Sequence, residues 1–224
     1  MIKLVIFDLD DTLYNEKDFV FGGFFEVCKY LSEKYSISFD EIFKETKKIL
    51  FENGRGKIFD VLCQSYNIKE DIDTLVSIYR NASPKLILYK DSELVLNALK
   101  DKYKLGLITD GMASVQWNKI KLLGIENYFD KIIVTDDYGR AFYKPSESSF
   151  LHMLKSFKLN SKEAVYVGDN PNKDFIGARK AGLYTVRIIR EVGEHKDVRL
   201  SSEYEADFLI SNMEELLAFL KGVL

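Results

Sequence analysis

Six polar side chains in this chain have the types and spacing to act together: Asp8, Asp10, Thr109, Lys144, Asp169 and Asp174. Asp8 and Asp10 follow the hydrophobic run 2–7, and residues two apart on an extended chain project to the same side. Carboxylates held that close repel unless a cation or a shared proton relieves them. The pair therefore points to a metal site or an acid/base couple. A solvated acidic turn would use the same residues. Thr109-Asp110-Gly111, Lys144-Pro145 and Gly168-Asp169-Asn170-Pro171 also read singly as ordinary turns. Their agreement carries more weight, because each follows its own hydrophobic run. Hard carboxylate oxygens suit Mg²⁺, and a lysine beside them suits a bound phosphate.

The elements that must position these residues are legible in the hydrophobic pattern. The run 2–7 is β-branched and aromatic and reads as a buried strand. Residues 16–88 keep helical spacing almost throughout, with Phe24, Val27, Cys28, Leu31 and Tyr35 as one apolar stripe. Beyond them, strands are expected at 104–109, 131–134, 164–167, 184–189 and 208–210. Helices lie between them, one of them capped by Asp91 and the last opened by a Ser211/Glu214 capping box. Alternating strands and helices imply a parallel sheet covered on both faces. The first two strands are roughly 90 residues apart, far more than the dozen or so that a crossover needs. The expected fold is thus α/β: a Rossmann-like parallel sheet core (1–15 and 89–224) with an inserted α-helical cap subdomain (16–88).

Composition narrows the function classes. The 224 residues are 46% hydrophobic and 30% charged with a net charge of −3, which suits a soluble globular protein and gives no support for nucleic-acid binding. Two cysteines, Cys28 and Cys63, do not make a disulfide scaffold. No window reaches the roughly 18 apolar residues of a membrane span, and the first residues lack the pattern of a signal peptide. A cytoplasmic protein with no membrane or nucleic-acid partner is expected, as a monomer or small homo-oligomer.

Four segments, in order, resemble the haloacid dehalogenase superfamily of phosphohydrolases. Phe7-Asp8-Leu9-Asp10-Asp11-Thr12-Leu13 looks like its first motif and Leu107-Ile108-Thr109-Asp110-Gly111 like its second. Lys144 in Tyr143-Lys144-Pro145-Ser146 matches the third, and Gly168-Asp169-Asn170-Pro171 through Asp174 the fourth. The helical insertion has the position and length of the family's type-one cap. The resemblance implies a Mg²⁺-dependent phosphatase of a small phosphomonoester, a sugar phosphate or nucleotide, acting through an aspartyl-phosphate. It implies Asp8 as nucleophile and Asp10 as general acid and base, with the Asp10 backbone carbonyl also on the metal. Asp8 and Asp169 would hold Mg²⁺, with Asp174 helping through a water or by orienting Lys144. Thr109 and neighbouring backbone N–H groups, Asp110 included, would bind the phosphoryl oxygens, and Lys144 would offset the negative charge. Asp11 is read as a turn residue.

Within the superfamily, Asp10 together with Asp169 and Asp174 argues against carbon–halogen cleavage, where no alcohol needs a proton. A phosphosugar mutase of the β-phosphoglucomutase type shares the whole core, and a non-catalytic binding module on the same fold is the alternative from another class. Substrate choice is expected in the cap, where Arg55 and Lys57 lie in the loop Asn53-Gly54-Arg55-Gly56-Lys57. A plain helix–helix connector would look the same. Phe21-Gly22-Gly23-Phe24 reads as a hinge or a packing pair, and Tyr14 as entrance or core. Trp117, spaced with Ile120, is expected in the core, and 191–205 as a solvated loop.

Overall fold

Strand β1 (Leu4–Phe7) has no solvent-exposed residue, as a strand with partners on both sides and helices on both faces must. The computed structural model describes residues 1–222. After β1 come α1 (Glu16–Tyr35), α2 (Phe39–Asn53), α3 (Ile58–Ser65) and α4 (Ile72–Arg80). Next are α5 (Lys90–Leu99), β2 (Lys104–Thr109), α6 (Ala113–Leu123), β3 (Lys131–Val134), α7 (Ser148–Phe157) and β4 (Ala164–Gly168). The described chain closes with α8 (Phe175–Lys180), β5 (Tyr184–Ile188), β6 (Phe208–Ile210) and α9 (Glu215–Leu220). The six strands form one parallel sheet in the order β3-β2-β1-β4-β5-β6. The α/β class read from the sequence is what the chain adopts.

That order decides where a ligand goes. From β1 the chain winds through β2 to β3 on one side, while β4, β5 and β6 build out on the other. The connections leaving β1 and β4 therefore diverge, and an open α/β sheet has its crevice outside the carboxyl ends of such strands. Asp8 and Asp10 leave β1 there, and Asp169 leaves β4. The register Phe7↔Val167 continues one step further, because the Asp8 N–H donates to the Val167 carbonyl at 2.8 Å. Asp8 is thus held by the ladder itself.

The contact pattern divides the chain into two units, residues 1–16 with 87–224, and residues 17–86. The expected core was 1–15 with 89–224, of which 223 and 224 lie outside the described residues. The helical unit has its own core of Phe24, Val27, Leu31, Ile42, Leu62 and Leu75. Within it, Gly22 and Gly23 are packing glycines: a Cβ would stand 2.3 Å from the Pro84 side chain and 2.4 Å from Tyr79. Asp71 caps α4, accepting from the Asp73 and Thr74 N–H groups. Cys28 and Cys63 are buried and free. No helix of the described residues is long and apolar enough to cross a membrane.

Four local expectations are corrected. Asp91 is not a cap but lies inside the first turn of α5, where it accepts from Arg190 at 2.6 Å and from the Met213 N–H at 2.7 Å. The box opening α9 uses Glu215 rather than Glu214, with Ser211 N–H and Oγ both donating to it. Trp117 is 37% exposed and bonds Asp137 through its indole N–H. The buried face of α6 is instead Gln116, Lys119 and Ile120. Finally, 191–205 is more than a solvated loop. Buried Arg187 donates to the His195 and Val198 carbonyls and pairs with Glu205, and the Glu194 N–H donates to Asp11.

Gly177 shows how tightly the core aligns the third motif. A Cβ at this position of α8 would stand 2.4 Å from the Pro145 carbonyl oxygen, just past Lys144. Alanine normally stabilises a helix interior relative to glycine, so any loss reports the clash. Gly177→Ala should lower unfolding free energy by about 1–3 kcal/mol, read by urea denaturation. A neutral or stabilising result would show that the Lys144-Pro145 turn moves freely.

Candidate active site

The site is built around a fully buried ammonium. Lys144 Nζ donates to Asp8 Oδ1 at 2.5 Å, to Asp174 Oδ1 at 2.8 Å and to the Tyr166 hydroxyl at 2.9 Å. An ammonium has three donors, and all three are engaged. Burial opposes its charge, but Asp174 and Asp8 outweigh burial and hold Lys144 well above the usual lysine range. Asp174 is pinned in turn: its Oδ1 also accepts from Tyr166 and its Oδ2 from the Asn170 N–H at 2.8 Å. Lys144, and to a lesser extent Lys173, hold its carboxyl below the ordinary value despite burial.

Carboxylate oxygens of Asp8, Asp169 and Asp174 lie within 4.8 Å of one another, all three residues buried. Asp169 differs from the other two. Its backbone carbonyl accepts from Arg187 Nε, but among the described residues no donor reaches its carboxylate. Burial first, then Asp174 and Asp8, push its carboxyl well above the ordinary range. Three buried carboxylates face one buried ammonium, leaving a formal surplus of two negative charges. The residues present therefore fit a hard divalent cation, with oxygen ligands of the right class and the right charge.

Asp10 leaves β1 beside Asp8 but does not join that group. Its Oδ1 accepts from the Tyr14 hydroxyl at 2.7 Å and from Lys119 Nζ at 2.8 Å, and its Oδ2 accepts from Gln116 Nε2 at 2.9 Å. Lys119 also pairs with Glu16 at 3.3 Å. Burial disfavours its charge, yet Asp10 and Glu16 raise it above the usual lysine value. Tyr14, read from the sequence as entrance or core, is fully buried, and burial with Asp10 close by keeps its phenol protonated. Asp11 has φ +51° and accepts from the Glu16 and Glu194 N–H groups at 3.0 and 2.9 Å, so its carboxylate is spent on the turn.

Thr109 ends β2 with its hydroxyl accepting from Gln116 Nε2 at 2.5 Å. The next carboxylate, Asp110, accepts from the Thr135 hydroxyl at 2.8 Å and from the Lys144 N–H at 3.3 Å, which ties the ends of β2 and β3 to the Lys144 turn. In the helical unit, Arg55 lines a cavity of about 310 Å³ with Phe24, Phe59, Tyr79 and Arg80. Lys57 is exposed and precedes α3. Sequence reading singled out neither Gln116, Lys119 nor Tyr166. A lysine and a glutamine three apart on the helix after the second motif were the available signal for two of them. A buried tyrosine in the middle of β4 carries none.

The sequence matches the haloacid dehalogenase-like hydrolase family over residues 5–188. It is similar to the glyceraldehyde 3-phosphate phosphatase of Methanocaldococcus jannaschii, 37% identical over 231 positions that cover 100% of this chain and 99% of that one. Among solved structures, a phosphatase of the same superfamily from Thermococcus onnurineus has a TM-score of 0.66 at 30% identity, covering 99% of both chains. A 2-haloacid dehalogenase from Pseudomonas syringae has a TM-score of 0.69 at 24% identity over 99% of both, a likeness of fold alone.

The clustered acids make metal-free stability depend on pH with a definite sign. Burial pushes the Asp8 carboxyl from 3.8 up to about 7, against the pull of Lys144. Between those values the folded protein keeps a proton that the unfolded chain has released, so stability falls as pH rises from about 4 to about 7. Thermal unfolding in chelator should show that slope, and millimolar Mg²⁺ should flatten it. Asp169→Asn should raise the metal-free Tm and remove the response to Mg²⁺. A Tm that is unchanged by both the cation and the substitution would count against a cation site here.

Proposed function

The chain belongs to the haloacid dehalogenase-like hydrolase family, and from that premise we propose that it is a Mg²⁺-dependent phosphatase acting on small phosphomonoesters through an aspartyl-phosphate on Asp8. The observation that carries this reading is Asp8 itself. It is a buried carboxylate, backed by Lys144 at 2.5 Å, grouped with Asp169 and Asp174, and two residues from a second carboxylate held apart from them.

Asp8, Asp169 and the Asp10 backbone carbonyl would hold the metal, with Asp174 acting through Lys144 and through water. When bound, Mg²⁺ would neutralise the surplus negative charge and polarise a phosphoryl oxygen. A carboxylate approaches a phosphate dianion only once that repulsion is compensated. Lys144 has its three donors committed, so its contribution is a fixed point charge beside the Asp8 oxygen rather than a hydrogen bond to the phosphate. With Asp8 Oδ1 held by Lys144, Oδ2 is the oxygen that attacks phosphorus. Asp10 would hand a proton to the departing alkoxide, then take one from the water that attacks the aspartyl-phosphate. The Thr109 hydroxyl would bind a phosphoryl oxygen. The Asp110 carboxylate would repel one, so any part it plays falls to its backbone N–H.

For the substrate we favour a short phosphorylated sugar or sugar-like alcohol, with glyceraldehyde 3-phosphate as the first compound to test, since that is what the 37% identical relative is named for. Selection among such compounds would fall to the helical unit, with Arg55 and Lys57 as candidate anion contacts. A panel of phosphometabolites assayed for phosphate release, with and without Mg²⁺, tests the whole reading. Asp8→Asn should abolish turnover of every ester, a loss of about 10⁴-fold or more. Trapped, acid-stable and hydroxylamine-labile phosphate should sit on the wild-type chain alone. Wild-type protein that releases no phosphate from any ester in Mg²⁺ would sink the proposal.

A further inference from the structure

Asp10 follows β1 and Thr109 ends the neighbouring strand β2, and one side chain bridges them. Gln116 Nε2 carries two hydrogens; one goes to Asp10 Oδ2 at 2.9 Å and the other to Thr109 Oγ1 at 2.5 Å. Gln116 is 2% exposed and Lys119, one turn on, is 3% exposed. A glutamine amide and an ammonium are costly to bury without a purpose for their donors. Both sit on the face of α6 that a helix of ordinary amphipathic pattern would fill with apolar groups, and both converge on the same carboxylate.

We propose that Gln116 and Lys119 are positioning residues that fix which oxygen of Asp10 moves the proton and which way the Thr109 hydroxyl points. This role, which rests on the phosphatase reading above, follows from the lone pairs of Asp10. Each carboxylate oxygen accepts about two hydrogen bonds. On Asp10, Oδ1 is filled by Tyr14 and Lys119, whereas among the described residues Oδ2 has only Gln116. One acceptor direction is left, on Oδ2, and that is where the proton travels. Thr109 Oγ1 accepts from Gln116, so its own hydrogen is turned away from Gln116 and is free for a phosphoryl oxygen. Glu16 shares Lys119 at 3.3 Å and keeps the ammonium from following Asp10 if that carboxylate shifts.

The test compares two leaving groups. Through formation of the aspartyl-phosphate, kcat/KM for an alkyl phosphate depends on proton donation by Asp10. For p-nitrophenyl phosphate it hardly does, because the nitrophenolate leaves unprotonated. With folding checked by circular dichroism and Tm, Lys119→Met and Gln116→Leu should each lower kcat/KM for glycerol phosphate or glyceraldehyde 3-phosphate by about tenfold or more. The same variants should change it by no more than about threefold for p-nitrophenyl phosphate. Lys119→Arg should recover most of the alkyl-ester activity, and the rise in KM that Gln116→Leu causes through Thr109 should stay within that threefold for both esters. Asp10→Asn is the reference and should show the same leaving-group selectivity more strongly. If Asp10→Asn is selective while Lys119→Met and Gln116→Leu depress both esters equally, the positioning role is wrong and the phosphatase reading stands. If Asp10→Asn itself is not selective, the acid/base assignment fails and takes the inference with it. Should Lys119→Met fail to fold, Gln116→Leu decides the question alone.

Discussion

The rest of the site depends on one buried cation. Lys144 reaches Asp8, Asp174 and Tyr166 at once, and none of those partners tolerates burial well without it. A buried ion pair is a poor source of net stability, because desolvation consumes most of what attraction returns. Its value lies in geometry. With three donors committed to three acceptors, at the end of β1, in the middle of β4 and at the start of α8, the ammonium has one place to be, and the Asp8 carboxylate has one orientation to hold. The remaining imbalance, one cation against three acids, makes the site incomplete by itself and receptive to a divalent ion.

Around this centre, arginines brace the backbone. Arg190 donates to the Thr12 carbonyl and pairs with Asp91, with its guanidinium 4.1 Å from the Tyr89 ring. Arg187 holds the Asp169 carbonyl together with those of His195 and Val198. Planar guanidinium groups suit such many-handed work better than lysine does. Together with Asp11, which takes the Glu194 N–H, they fasten the loops after β1 and β4 to the segment 190–205. Positions of that kind fix a turn to within the tolerance that nucleophilic attack demands.

The fold was largely legible because its signals are local: β-branched runs for strands, a helical stripe of apolar residues for 16–88, and short polar motifs at strand ends. Strands 104–109, 131–134 and 208–210 came out at their observed bounds. What stayed hidden depends on partners far away in sequence. Apolar spacing puts the α6 face on Trp117 and Ile120, whereas the helix turns Gln116, Lys119 and Ile120 inward, a rotation of one residue. Hydrophobicity favours the tryptophan inside, and only the acid at Asp10, 109 residues earlier, explains why a lysine takes that place. Segment 191–205 misled for the same reason: its charge content reads as solvated until buried Arg187 is seen to need its carbonyls.

The strand order also governs when the site can come into being. Leu4 pairs with Lys104 on one side and Ala164 on the other, so β1 is synthesised well ahead of both of its neighbours. Helices α1–α4 make mainly local contacts and are complete before either strand emerges. During translation the strand that leads to Asp8 is an unpaired apolar segment waiting on roughly 160 residues of chain, the sort of long-range pairing that slows folding and invites association. A helical insertion with its own core directly after β1 fills that interval with structure instead of loose chain, and it shortens the effective loop that the central pairing has to close.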